Sequence, residues 1–307
     1  MRLIAEGINL RFEVVGRSST CDDRTGLLGK DIFSPPTWRL RLGEHGIEFK
    51  VSLFDYIHGI NIQQIVCFAH FYLSDRIVAM NLSVIIPVYN EVATIETIIK
   101  RVESVQLADE IIIVDDGSTD GTRDLLEKIA PSHPKIRLIL QDKNQGKGTA
   151  VRTGIAAAQC DLVLIQDADL EYDPRDYTAL LKPIQEGLAQ VVYGSRFLGA
   201  PHRVAMFWHM VANKLLTLFT NILYNSILTD METCYKLFER ELIQSIPLNA
   251  KRFDFEPEVT AKLLKRKVRI FEVPITFNPR EYTEGKKIGM WDAFEAVWTL
   301  IKYRFVD

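Results

Sequence analysis

The chain has 307 residues and a formal net charge of −3; 47% of its residues are hydrophobic and 25% are charged. These values are typical of a folded globular protein and exclude a disordered or low-complexity chain. The four cysteines form no C-x-x-C pair and are too few for a disulfide scaffold, which excludes a zinc ribbon or a thioredoxin-like motif. The first residues show no secretory signal, so we expect a cytoplasmic protein.

The net charge hides a division along the chain. Acidic residues outnumber basic ones by 18 to 12 over residues 80–200, whereas basic residues outnumber acidic ones by 16 to 13 over residues 201–307. The acidic middle argues against nucleic-acid binding, which usually requires a basic face. It suits carboxylates gathered around a metal ion. The slightly basic end is compatible with a phosphate or an anionic membrane surface.

Predicted strands and helices alternate through the middle of the chain. Short β-branched runs indicate the strands, and apolar residues at helical spacing, such as Ile95, Ile98 and Val102, indicate the helices between them. The predicted strands are Leu82–Tyr89, Glu110–Val114, Ile136–Leu140, Asp161–Ile165 and Gln190–Tyr193. This alternation predicts an α/β fold with a mostly parallel sheet, in which ligands bind beyond the carboxyl ends of the strands.

The last third of the chain has a different pattern. Arg203–Leu228 and Met290–Phe305 are predicted to be amphipathic helices, and Val268–Phe277 is predicted to be a strand. The longest apolar run, Leu215–Thr229, is shorter than the roughly 20 residues that span a bilayer.

Residues 1–79 fit neither pattern. Arg2–Val15 and Trp38–Leu53 alternate loosely like strands, Ile60–Leu73 is apolar, and no chemical motif is present. Two interpretations remain open: a small accessory β region, or an N-terminal extension that precedes a natural start at Met80. We therefore divide the chain into an N-terminal extension, residues 1–79, and a main domain, residues 80–307.

Acidic side chains follow three of the predicted strands, with Glu91 after the first of them. Two adjacent acids at the end of a buried strand, Asp115 and Asp116, must be solvated, paired or bound to a ligand such as a base edge or a ribose. Acids at positions i, i+2 and i+4, as in Asp167, Asp169 and Glu171, can converge on one divalent cation. Each segment alone is also compatible with a structural turn or a helix cap.

Basic side chains accompany these acids. Lys147 lies in the glycine-rich segment NQGKGT at a predicted helix N-terminus, where anions bind readily. That segment matches neither the P-loop nor the dinucleotide fingerprint, which argues against a dehydrogenase. Arg196 follows the fifth strand, where it could meet a phosphate. Arg280 and the Lys286-Lys287 pair form a basic loop, which we interpret as a solvated surface turn.

The ordered set of segments resembles glycosyltransferase family 2 over residues 81–306. The segments that carry the resemblance are VIIPVYNE, IIIVDDGSTDGT, NQGKGTAVRTG, QDADLEYDP and YGSRF. Three later segments, TDMETCYK, FEPEVTAK and EGKKI, are most similar to the bacterial branch related to dolichol-phosphate mannosyltransferases. The resemblance implies a Rossmann-like A-type glycosyltransferase fold and an inverting transfer from a nucleotide-activated sugar. It divides the main domain into a nucleotide-sugar half, residues 80–200, and an acceptor- and membrane-facing half, residues 201–307.

The resemblance also implies roles for single residues. The residues expected to line the nucleoside pocket are Pro87, Tyr89, Glu91, Asp115 and Asp116. A divalent cation, Mg or Mn, is expected on Asp167 and Asp169, with Glu171 as a further ligand where relatives often have Gln. The cations expected near the diphosphate or the acceptor phosphate are Lys147, Arg196 and Arg203. Together these groups would stabilise the leaving diphosphate.

We therefore expect a metal-dependent glycosyltransferase that moves a sugar from a UDP- or GDP-sugar to a polyprenyl phosphate, dolichyl or undecaprenyl, at the inner face of the cell membrane. A phosphate acceptor is already anionic and needs no strong base. A hydroxyl acceptor would need one, with Asp230 or Glu232 as candidates. The alternatives are transfer to a glycan or protein hydroxyl, and a non-catalytic nucleotide-sugar-binding protein.

Aromatic residues beside Lys and Arg on the two amphipathic helices predict peripheral membrane binding. These aromatic residues are Phe207, Trp208 and Phe219 on one helix and Trp291, Phe294 and Trp298 on the other. The alternative is that both apolar faces pack against the domain, as those of amphipathic helices usually do.

Overall fold

The computed structural model describes residues 2–5, 8–14, 37–42 and 47–52 by their backbone alone, and residues 80–199, 203, 207–280 and 290–306, with backbone alone for 290–292. The chain divides into two compact units, Met1–Ile77 and Val78–Asp307. The predicted apolar segment Ile60–Leu73, the Lys286-Lys287 pair and the side chain of Trp291 lie outside the described residues.

The first unit contains an antiparallel sheet of four strands in the order β1-β2-β3-β4. The strands are β1 (Arg2–Ala5), β2 (Ile8–Val14), β3 (Thr37–Leu42) and β4 (Ile47–Ser52). The two segments predicted to be strand-like, 2–15 and 38–53, correspond to two antiparallel pairs, β1 with β2 and β3 with β4.

The second unit is built on a seven-stranded sheet in the order β11-β9-β10-β8-β5-β6-β7. Its strands are β5 (Leu82–Val88), β6 (Glu110–Asp115), β7 (Ile136–Leu140), β8 (Leu162–Ile165), β9 (Val191–Ser195), β10 (Lys236–Glu239) and β11 (Ile270–Pro274). Strand β10 runs antiparallel to its neighbours β8 and β9, whereas the other pairs are parallel. The predicted mostly parallel sheet is confirmed.

Helices cover both faces of this sheet. They are α1 (Ile95–Ser104), α2 (Thr122–Ile129), α3 (Lys147–Ala157), α4 (Tyr177–Gln185), α5 (Phe207–Tyr224), α6 (Arg240–Gln244), α7 (Phe255–Lys265) and α8 (Met290–Phe305). Two 3-10 turns, Ala130–Ser132 and Pro174–Asp176, precede β7 and α4. Helix α5 is shorter at both ends than the predicted Arg203–Leu228, whereas α8 has the predicted bounds.

Alternate side chains of β5 belong to two different hydrophobic cores, one on each face of the sheet. Val84 and Ile86 point into the core beneath α1 and α4, whereas Ile85 points into the core beneath α3 and α7. A Cβ atom on Gly154 of α3 would lie 2.4 Å from Cγ2 of Ile85, so only glycine permits this close contact between helix and sheet. The continuous apolar runs of these strands therefore reflect burial on both faces.

Helices α5 and α8 share a smaller third core. Met231, Ala261 and Leu300 are buried there, and the Tyr224 hydroxyl on α5 donates a hydrogen bond of 2.7 Å to the Leu300 carbonyl on α8. Among the described residues, no helix is long and apolar enough to cross a membrane.

Candidate active site

One edge of the seven-stranded sheet collects the chemically active side chains. The carboxyl ends of the parallel strands β5, β6, β8, β9 and β11 lie there, together with the amino end of the antiparallel strand β10. Ligands of open α/β sheets bind at this edge, in the crevice beyond the strands. The residues that follow these strands are therefore neighbours in space although they are far apart in sequence.

The two adjacent acids at the carboxyl end of β6 both have partners within the protein. Asp115 is fully buried and pairs with Arg123 at 2.7 Å, while Asp116 accepts hydrogen bonds from the backbone N–H groups of Gln145 and Gly146 at 2.7 and 2.8 Å. Burial raises the pKa of Asp116. These contacts give both acids a structural task, and their predicted place in a nucleoside pocket stays a prediction.

Close backbone contact shapes the loop that follows Asp116. Gly117 has a φ of +73°, and a Cβ atom on it would lie 2.6 Å from the backbone nitrogen of Asn144. Asn90, after β5, joins the same loop: its N–H donates to Ser118 Oγ at 2.9 Å, and its Oδ1 accepts from the Thr119 N–H at 2.8 Å. The predicted pocket residue Pro87 is buried within β5, and Tyr89 beside Asn90 is partly exposed.

A second cluster surrounds Asp167, the first acid after β8. The Lys147 ammonium at the start of α3 lies 2.8 Å from Asp167 Oδ1, 3.0 Å from Cys234 Sγ and 3.4 Å from Glu256 Oε1. Burial alone would raise the pKa of Asp167, but the Lys147 ammonium brings it below its ordinary value. The structure thus brings together the lysine and the aspartate that were both expected near the diphosphate.

Arg280 ties together the remaining predicted acids. Its guanidinium group lies 2.9 Å from Glu91 Oε1 and 3.3 Å from Asp169 Oδ2, and its backbone N–H donates to Glu171 Oε1 at 2.8 Å. The interpretation of Arg280 as a solvated surface residue is wrong, because its side chain is only 21% exposed and lies between carboxylates. The sequence signal that could have placed Arg280 in the site is its position shortly after β11. That strand runs parallel to β9 and ends at the same sheet edge.

Arg196 and Asp230 form a buried pair. The Arg196 Nε and Nη2 atoms donate to the two carboxylate oxygens of Asp230 at 2.7 and 2.6 Å, and the Arg196 N–H adds a bond of 3.0 Å. Asp230 is fully buried, and its own N–H donates to Glu272 at 3.1 Å. Each group therefore already has a partner inside the protein. Arg203, which was expected near a phosphate, is exposed and donates its N–H to the Phe277 carbonyl at 2.9 Å.

Lys236, at the amino end of β10, is a buried cation that sequence reasoning missed. Its ammonium donates to the carbonyl oxygens of Met231, at 2.9 Å, and of Thr233, and lies 4.5 Å from the centre of the Tyr193 ring. Burial lowers the pKa of Lys236. The strand β10 was not predicted, because its four residues mix charge with apolar side chains.

Each of the three predicted metal ligands has a partner within the protein. In the described ranges, no group of three or more His, Cys, Asp or Glu residues is arranged to hold a metal ion. Asp167 pairs with Lys147, Asp169 with Arg280, and Glu171 binds a backbone N–H. Two carboxylates nevertheless fit Mg²⁺ or Mn²⁺, because such ions take one or two carboxylates and complete their shell with substrate phosphates.

Comparison with known proteins identifies the class to which this fold and site belong. The sequence model described as Glycosyl transferase family 2 matches residues 83–246. Polyprenol monophosphomannose synthase of Mycolicibacterium smegmatis is 30% identical over 214 residues, covering 67% of this chain and 80% of that protein. The chain belongs to glycosyltransferase family 2, as predicted.

Two further proteins are similar to this chain, one in sequence over part of its length and one in fold. Glycosyltransferase AglJ of Haloferax volcanii is 30% identical over 64% of this chain, but the match spans only 63% of AglJ. Glucosyl-3-phosphoglycerate synthase from Mycobacterium tuberculosis, solved with Mn²⁺ and uridine diphosphate, has a TM-score of 0.58 at 22% identity, covering 74% of this chain and 81% of that one. The shared fold confirms the predicted A-type glycosyltransferase architecture.

Proposed function

We propose that this chain transfers a sugar, with inversion, from a UDP- or GDP-sugar to a polyprenyl phosphate. The donor class is supported by the fold neighbour, which was solved with uridine diphosphate and Mn²⁺. The acceptor class is supported by the name of the polyprenol monophosphomannose synthase that matches two thirds of the chain. Residues 80–200 would hold the donor and residues 201–307 the acceptor.

The single observation that carries the proposal is the set of carboxylates and cations at the sheet edge. Lys147 and Arg280 are cations that the structure places against Asp167 and Asp169. A divalent cation on these aspartates would neutralise the charge that develops on the leaving diphosphate. The released ammonium and guanidinium groups would then face diphosphate oxygens, to which they donate charge-assisted hydrogen bonds.

A phosphate acceptor fits the contacts of Asp230 better than a hydroxyl acceptor does. Both oxygens of the Asp230 carboxylate are engaged by Arg196, so Asp230 would have to break that pair to accept a proton. A phosphate nucleophile is already anionic and needs no such base. Transfer to a glycan or protein hydroxyl therefore remains the second candidate, with Glu232 as its base.

The outer surfaces of α5 and α8 support binding at the inner face of the cell membrane. Trp208 and Ile222 on α5 are 76% and 73% exposed, and Phe294 and Trp298 on α8 are each 66% exposed. Other apolar residues of the same helices, such as Phe219 and Leu300, pack into the third core, so the domain covers only part of each apolar face. Exposed aromatic residues beside cations such as Lys302 suit the headgroup region of a bilayer.

The decisive experiment is a panel of UDP- and GDP-sugars with polyprenyl phosphate, followed by mass spectrometry of the lipid. We expect a glycosyl phosphate lipid from one donor, and loss of the product when a chelator is added. Sugar transfer only to hydroxyl acceptors would favour the second candidate. Donor binding with neither transfer nor hydrolysis would indicate the non-catalytic nucleotide-sugar-binding protein.

A further inference from the structure

Glu232 has an unusual place in the loop between α5 and β10. One of its carboxyl oxygens, Oε1, is buried, and no group in the described part of the chain forms a hydrogen bond with it. The residue as a whole is partly exposed, so the side chain lies where the interior meets the surface of the site. A buried polar atom without a partner costs free energy, which a bound ligand can recover.

The charged groups around Glu232 all have partners of their own. Arg196 is paired with Asp230, Lys236 donates to two backbone carbonyls, and Glu256 lies 3.4 Å from Lys147. Glu232 therefore differs from these charged residues, because its carboxyl oxygen Oε1 has no hydrogen-bond partner among the described residues. A ligand bound beside the partly exposed Glu232 side chain would supply the missing partner.

The surroundings of Glu232 favour its neutral form. Burial, and after it the negative charge of Glu256, raise the pKa of Glu232 to about 8, although Lys236 and Arg196 act in the opposite direction and Asp230 adds to the rise. At neutral pH the side chain is thus a carboxylic acid with one O–H donor, rather than an acceptor-only carboxylate. An ionised carboxylate would repel a phosphate, whereas the acid can donate to it.

We propose that the neutral Glu232 side chain donates a hydrogen bond to an oxygen of the acceptor phosphate and so helps to select a phosphate over a hydroxyl acceptor. This inference rests on the proposed function. Arg196 and Lys236 act on Glu232 through their charges although each has its own partner, so an anion beside Glu232 would be attracted by the same two cations. A bound phosphate stabilises the protonated form of Glu232 further, so proton loss at higher pH weakens acceptor binding.

The test measures the KM for polyprenyl phosphate from pH 6 to pH 10 at saturating donor. For the native protein we expect this KM to be constant below about pH 8 and to rise roughly tenfold for each unit well above it, because only the protonated form donates. Glu232→Gln keeps an N–H donor that cannot ionise, so its KM should stay within about fivefold and lose the alkaline rise. Glu232→Ala should raise the KM roughly 10- to 100-fold at pH 7.

Two controls keep the outcome clear. Glu241→Gln removes a carboxylate that is 91% exposed on α6 and should follow the native pH profile. The melting temperature of Glu232→Gln should stay close to that of the native protein, because the amide has nearly the same shape and the same zero charge as the neutral acid.

The results separate this inference from the function on which it rests. If the native protein transfers sugar to polyprenyl phosphate but Glu232→Gln keeps the alkaline rise in KM, the inference is wrong and the function stands. If kcat/KM for a hydroxyl acceptor increases through pH 8 and Glu232→Gln abolishes kcat, Glu232 is a general base instead. A native protein that glycosylates no phosphate at any pH overturns the proposed function and this inference with it.

Discussion

Three ion pairs at the same sheet edge differ in burial. We call the two partly exposed pairs the open pairs and the buried pair the closed pair. Lys147–Asp167 and Arg280–Asp169 have contacts of 2.8 and 3.3 Å, and each of these side chains keeps 14–22% of its surface exposed. Arg196–Asp230 has two contacts of 2.6 and 2.7 Å, and the Asp230 side chain is fully buried. Open pairs can exchange their partner for a ligand, whereas a closed buried pair is costly to separate.

The largest expected effect concerns the open pairs. Asp167→Asn or Asp169→Asn should reduce transfer roughly 1,000-fold, because each change removes a charge expected to hold the cation at the leaving diphosphate. The measurement is kcat/KM at saturating Mn²⁺, with circular dichroism to verify folding. Asp124→Asn, an exposed change on α2, is the matched control. Full activity of both variants in the presence of a chelator would disprove the metal role.

The closed pair should matter for stability instead. Asp230→Asn leaves Arg196 buried without its counter-charge, which should lower the free energy of unfolding by about 3–5 kcal/mol. Urea denaturation measures this change. Asp173→Asn disrupts a pair whose Arg175 side chain is 82% exposed, and it should cost less than about 1 kcal/mol. Native-like stability with lost activity in Asp230→Asn would instead make Asp230 part of the chemistry.

Arg280 offers a direct test of exchange between partners. Arg280→Ala removes a cation that we expect to move from Glu91 and Asp169 to the diphosphate, so the KM for the donor should rise roughly tenfold. Steady-state kinetics with varied donor provide the readout, and Arg175→Ala, a change at a largely exposed arginine, serves as the control. An unchanged donor KM would mean that Arg280 only pairs with Glu91 and Asp169 within the protein.

The exposed faces of α5 and α8 should affect lipid binding without affecting stability. Phe294→Ser combined with Trp298→Ser should weaken binding to anionic liposomes several-fold and slow transfer to long-chain acceptors more than to short ones. Flotation with liposomes measures this effect. Leu188→Ser, at a residue 46% exposed after α4, should leave it unchanged. Equal loss with both acceptors, accompanied by a lower melting temperature, would mark these side chains as structural.

The smallest effect is expected from removing the first unit. A chain starting at Met80 should fold and retain transfer activity within about twofold, because the predicted motifs lie in the unit Val78–Asp307. Activity and solubility of the truncated protein decide this point. Insolubility, or activity lost in the soluble truncated protein, would show that residues 1–79 complete the fold or the site.

The sequence predicted the sheet better than the pairs at its edge. Runs such as IIIV in β6 identify buried strands by composition, and the acids that follow them lie where the chain pattern places them. Contacts between distant segments have no such local signal. Arg280 lies 189 residues from Glu91, and Arg196 lies 34 residues from Asp230. Their partners depend on the order of β11, β9 and β10 in the sheet, which periodicity does not reveal.

Lys236 supplies a built-in cation to the loop between α5 and β10. The loop of Met231 and Thr233 folds around the Lys236 ammonium much as peptide carbonyls surround a bound potassium ion, but this ion is covalently attached and cannot diffuse away. A divalent cation on Asp167 and Asp169 would instead have to be taken up from solution. Depletion of divalent ions should therefore stop the proposed transfer while the loop around Lys236 keeps its conformation.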